Sequence, residues 1–79
     1  MTYTIPFAVE EGEQMCVIEL LDLSQKEVIA EIHRSTHPPG SYSVLFDPTR
    51  VDGGLEAGLY ILRVAIGESA EIFPLQYMP

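Results

Sequence analysis

At 79 residues the chain holds one domain, 1–79, near the lower limit for a single hydrophobic core. A domain of that size buries only about 60% of the surface its unfolded chain exposes. Twelve acids against four bases give a net charge of −8, and Lys26, Arg34, Arg50 and Arg63 form no basic stripe, which argues against nucleic acid and anionic membrane surfaces as partners. One cysteine, Cys16, leaves no internal disulfide and no zinc-type pair; it reads as a small buried apolar side chain. No apolar run reaches the roughly 18 residues of a membrane span, and no signal-peptide pattern opens the chain. Of the supports that small domains use, a partner subunit stays open.

Ile5, Phe7 and Val9 alternate with Pro6 and Ala8 as a first strand, and Pro6, which has no N–H for a ladder, puts it at a sheet edge. Glu10 to Gln14 is an acidic, solvated turn. Met15 to Leu21 is a second strand, with Cys16, Ile18 and Leu20 on one face and Val17, Glu19 and Leu21 on the other. Asp22 to Lys26 turns the chain, since Asp22 and Ser24 offer oxygens to nearby backbone N–H groups. Glu27 to His33 follows as a strand, with Val28, Ala30 and Ile32 inward and Ile29, Glu31 and His33 outward. Arg34 to Gly40 reads as a loop ended by Pro38-Pro39-Gly40.

Tyr42, Val44 and Phe46 alternate with Ser41, Ser43 and Leu45 as a fourth strand. Asp47 to Ala57, with Pro48, Gly53 and Gly54, is the longest connection. Gly58 to Ile66 is the longest apolar segment, broken only by Arg63 and closed by Gly67, and it reads as a strand near the middle of a sheet. A tight turn at Gly67 leads to a last strand from Ala70 to about Leu75, which Pro74 assigns to an edge or a strand end. Short strands between turns, without a convincing helix or an internal repeat, predict an all-β domain: a small antiparallel two-sheet sandwich.

Three segments in order resemble the immunoglobulin-like domain of the flagellar hook-capping protein and the related C-terminal sorting domains of the type IX secretion system. They are Asp22-Leu23-Ser24-Gln25-Lys26-Glu27-Val28, Pro39-Gly40-Ser41-Tyr42-Ser43-Val44-Leu45-Phe46-Asp47 and Ala57-Gly58-Leu59-Tyr60-Ile61-Leu62-Arg63-Val64. The resemblance spans Ile5 to about Leu75 and implies an immunoglobulin-like β-sandwich of six to seven short strands, without catalytic activity, used for anchoring, sorting or assembly. The family has glycine at Gln25, tryptophan at Phe46 and glycine at Pro48, and its sorting members end in a basic tail. Gln25 would then have to take the left-handed position of its turn at some cost, unless the turn type differs.

Function is expected to lie in binding. Apolar residues recur on the faces assigned outward, at Val17, Leu21, Ile29, Leu45 and Ile61, and one patch of them would suit a protein partner. An exposed edge strand is the other route to a partner. His33 and His37 are four apart, the spacing of two ligands on a helix, but Pro38-Pro39 removes the helix, so the pair reads as loop histidines and no metal is expected there. No context marks a nucleophile, so no catalytic residue is assigned. A calcium reading would use Asp47, Asp52 and Glu56, although that spacing is ordinary turn chemistry. Tyr60 reads as a core aromatic with its hydroxyl on a backbone partner.

The expectation is a non-enzymatic accessory or adaptor subunit of a larger bacterial assembly, or a homodimer, with no cofactor. A complete chain belongs in the cytoplasm. The alternative is a sorting or anchoring module of a longer exported or surface protein.

Overall fold

A computed structural model describes residues 2–51 and 53–78. Six strands form two antiparallel sheets: β1 (Tyr3–Val9), β2 (Gln14–Leu21), β3 (Val28–His37), β4 (Gly40–Phe46), β5 (Gly58–Ile66) and β6 (Ser69–Tyr77). One sheet pairs β1 with β4; the other has the order β3-β2-β5-β6. A short 3-10 turn, Pro48–Arg50, interrupts the β4–β5 connection. Among the described residues no helix is long and apolar enough to cross a membrane.

The two sheets stack because each strand's alternation supplies one apolar face. Ile5, Phe7, Val9 and Phe46 from the small sheet meet Cys16, Ile18, Leu20, Leu62 and Val64 from the large one, forming the buried core. Ile18, Leu20 and Cys16 are fully enclosed, as befits central β2. Burial pushes the Cys16 thiol up from its ordinary value, so it stays protonated and packs as an apolar group. The strand at Gly58–Ile66 lies between β2 and β6, inside its sheet, and the two proline-bearing strands β1 and β6 are both edges.

Within a sheet the chain turns back by hairpins, β2–β3 and β5–β6; between sheets it crosses at Glu10–Glu13, at Pro38-Pro39 and through the long connection before β5. The β2–β3 hairpin is organised by Asp22. Its carboxylate accepts bonds from the backbone N–H groups of Lys26 (2.9 Å) and Glu27 (3.0 Å) and from the Ser24 hydroxyl (2.6 Å). Its carbonyl accepts the Gln25 N–H at 2.9 Å. The Ser24 hydroxyl and the two N–H groups hold the Asp22 carboxyl below its ordinary range. Gln25 adopts φ 62°, as its place in the turn requires.

β3 departs from the expected pattern. It runs on to His37, so the segment from Arg34 to His37 is strand and not loop. Its register against β2 also shifts twice: Ile18 opposes His33 but Glu19 opposes Glu31, and Leu20 opposes Ala30 but Leu21 opposes Val28. Each shift inserts an extra residue and reverses the alternation. Val28 therefore turns outward beside Leu21, and His33 turns inward beside Ile18, both opposite to expectation. Ile29 and Ile32, the inserted residues, pack against the core.

Candidate functional site

Among the described residues, the large sheet carries the small one on one face and no second sheet on the other. Its free face is read directly from the register. One row runs Val28, Leu21, Ile61 and Pro74 across all four strands. The next row is Glu31, Glu19, Arg63 and Ile72, and the one after it is Arg34, Val17, Ala65 and Ala70. Val28, Leu59 and Ile72 are about half exposed on this face, at 50%, 53% and 51%.

Charge on this face is balanced. Arg63 meets Glu19 at 3.2 Å in a partly buried pair at the centre, and Arg34 pairs with Glu31 on β3. Two acids and two bases sum to zero here, in a chain whose net charge is −8. The acidic excess sits in the turns and on the remaining surface, at Glu10, Glu11, Glu13, Asp47 and Glu68 among others.

The five residues expected to form one partner patch divide. Val17, Leu21 and Ile61 share the free face, with Leu21 nearly closed in between Val28 and Ile61 at 7% exposure. Ile29 is an inserted residue of β3 packed against the core. Leu45 lies in the other layer, on the outward side of β4 and 70% exposed. Alternation within each strand is legible in the sequence, but which strands share a sheet is not, and Leu45 was grouped across layers for that reason. Val28, Leu59 and Ile72, the most open apolar residues of the face, were missed. The signal for Leu59 and Ile72 was present in the β5 and β6 alternation; for Val28 the register shift hid it.

A second cluster lies on the inner side, at the end of the sandwich where β1, β3 and β4 meet. The rings of His33 and His37 stack with centroids 5.1 Å apart, and their Nε2 atoms approach to 2.8 Å. Phe7 stands 6.1 Å from His33 and 5.5 Å from His37, and Tyr42 packs on His37 at 4.4 Å. The Tyr42 hydroxyl donates to the Pro38 carbonyl. Tyr60 does the same to the Glu56 carbonyl, also four residues upstream, so the segments Gly40-Ser41-Tyr42 and Gly58-Leu59-Tyr60 open β4 and β5 in the same way. The histidines thus belong to a strand and face inward, where loop histidines were expected. In a strand without register shifts, His33, Ser35 and His37 still share a side; only the shifts decide which side it is.

Of the calcium candidates, Asp47 caps the 3-10 turn: its Oδ1 accepts the Thr49 N–H (3.0 Å) and hydroxyl (2.7 Å). The Thr49 hydroxyl and N–H hold the Asp47 carboxyl below its ordinary range. Glu56 is exposed and Asp52 lies outside the described residues. Among the described residues no three acidic, histidine or cysteine side chains converge as a metal cage.

Fold and surface together define a small two-layer β-sandwich with one sheet face on which paired charges and exposed apolar residues stand together. Comparison with family models, curated proteins and solved structures finds no match to the chain, so the resemblance to hook-capping and sorting domains rests on its three motifs alone.

Proposed function

We propose that this chain is a non-enzymatic accessory or adaptor subunit that docks onto a larger bacterial protein assembly through the free face of its large sheet. The observation that carries this reading is electrical neutrality combined with apolar exposure, on one face of a strongly acidic domain. Burying an unpaired charge at an interface costs several kcal/mol, and the four charges of this face are already paired, beside apolar residues that are half exposed. The Glu19–Arg63 pair is already formed, so a partner covers it without stranding either group.

The face is favoured over pairing at three of the four edges by the state of those edges. β6 carries Pro74, β1 carries Pro6 and β3 carries two register shifts, each of which discourages the addition of a strand. β4 is left as the edge with neither a proline nor a shift. An immunoglobulin-like arrangement is supported by Tyr60, whose hydroxyl returns to the backbone just before β5, as in the tyrosine corner of such sandwiches.

The test is association of Leu59→Asp and Ile72→Asp variants. Both sites are half exposed, so folding should persist while binding to the partner is lost. Retained binding in both variants rejects the face.

A further inference from the structure

We propose that β4 is the seam of a two-fold homodimer. Its open edge pairs antiparallel with the same edge of a second copy, centred on Ser43, and joins the two small sheets into one of order β1-β4-β4-β1. The seam belongs to the small sheet, so it is independent of docking through the free face of the large one.

The first argument is which backbone groups stand open. Along an antiparallel pair, positions that exchange bonds across the ladder alternate with positions that do not. Pro6 has no N–H to give, and it stands opposite Ser43. Pro6–Ser43 is therefore a position that does not bond across, and so are Thr4–Leu45 and Ala8–Ser41. The N–H and C=O groups of Ser41, Ser43 and Leu45 thus point away from β1. Among the described residues no backbone group of a turn or loop bonds them.

The second argument is that this row fits a copy of itself. With Ser43 on the two-fold axis, Ser43 faces Ser43 and Ser41 faces Leu45 of the second copy, so every open donor meets an open acceptor. On the inner side Tyr42 then faces Val44 of the second copy, and an aromatic against a β-branched chain is a favourable cross-strand pair. β4 carries no charged residue from Gly40 to Phe46, so a chain of net charge −8 meets its copy without like charges across the seam. The added strand also shields the cleft beside this edge, whose lining includes Ile29, Ile32 and Val51. The other edges offer no such row: Pro6 breaks that of β1, Pro74 lies in β6, and β3 carries two shifts.

The test is sedimentation equilibrium of the full chain from about 1 µM to about 1 mM, the range that suits a seam of one strand pair, with NMR amide signals followed alongside. The expected result is a monomer–dimer equilibrium in which the amide signals of Ser41, Ser43 and Leu45 move most with concentration. Ser43→Asp and Ser43→Lys each set like charges face to face on the axis and should weaken association about fivefold, while an equimolar mixture of the two should restore it as a heterodimer. Ser43→Pro removes the central N–H from both copies and should abolish the dimer. Far-UV circular dichroism checks that this variant folds, and the charge variants carry the test if it does not. Ile72→Asp, on the large sheet, should leave the dimer unchanged. A chain that stays monomeric at the highest concentration overturns the proposal, as does association undiminished in the folded Ser43 variants. A mixture of the charge variants that fails to pair overturns the register about Ser43. Self-association lost in Ile72→Asp moves the contact to the free face and overturns the seam.

Discussion

Replacing Gln25 by glycine should stabilise the domain. Gln25 holds φ 62° at the end of the Asp22 turn, a region where a side chain's Cβ crowds the backbone. An L-residue with a Cβ is penalised there by about 1–2 kcal/mol. Glycine removes that penalty but loses about 0.5–1 kcal/mol through its greater freedom in the unfolded chain. The net gain is about 0.5–1 kcal/mol, which in a domain of this length raises Tm by about 2–8 °C. The Gln25 side chain is exposed, and its removal should expose no core. Gln25→Ala keeps the Cβ and controls for the side chain; its Tm should stay near wild type. Gln25→Val, branched at Cβ, should melt lower. Thermal unfolding followed by circular dichroism, with urea midpoints at 25 °C, reads all three. A Gln25→Gly variant that melts below wild type while Gln25→Ala does not would refute the left-handed turn.

Gly67, at φ 59° in the β5–β6 turn, faces the converse substitution: Gly67→Ala should cost about 0.5–1 kcal/mol net, read as a lower urea midpoint. Ile18→Ala, in the fully enclosed centre of β2, should cost about 2–5 kcal/mol, a large share of the stability of a domain this small, read as a lower urea midpoint. Acid should weaken the fold through Asp22 and Asp47. Both carboxyls lie below their ordinary range when folded, so their contribution is present above the unfolded value of about 3.9 and is lost as pH falls through the lower folded values. The urea midpoint of wild type should therefore drop more below about pH 4 than that of Asp22→Asn; parallel curves would contradict the assignment of Asp22.

The sequence made the layers legible wherever apolar alternation was unbroken. β1, β2, β4 and β5 each show their core face in period two, and Pro6 and Pro74 marked their strands as edges. β3 hid its organisation because Val28-Ile29-Ala30-Glu31-Ile32 contains enough apolar residues to satisfy either alternation, and a register shift leaves no mark in such a run. The extension of β3 through Arg34-Ser35-Thr36-His37 was hidden for the opposite reason: four polar residues give no periodicity, and Pro38-Pro39 suggested an earlier end. The free face was half legible. Its residues follow from alternation, but its neutrality depends on Arg63 opposing Glu19, two residues 44 apart in sequence whose pairing only strand order fixes.

The measurement closest to the central claim is a paired affinity capture from the native host, using the tagged wild type and the Ile72→Asp variant side by side, with mass spectrometry and stoichiometry of the captured material. The account predicts a stoichiometric protein partner with wild type, absent with Ile72→Asp, while both chains show the same far-UV spectrum. The same partner at the same stoichiometry with both chains would contradict docking through the free face, and a wild-type chain recovered alone as a monomer would contradict the accessory-subunit reading itself.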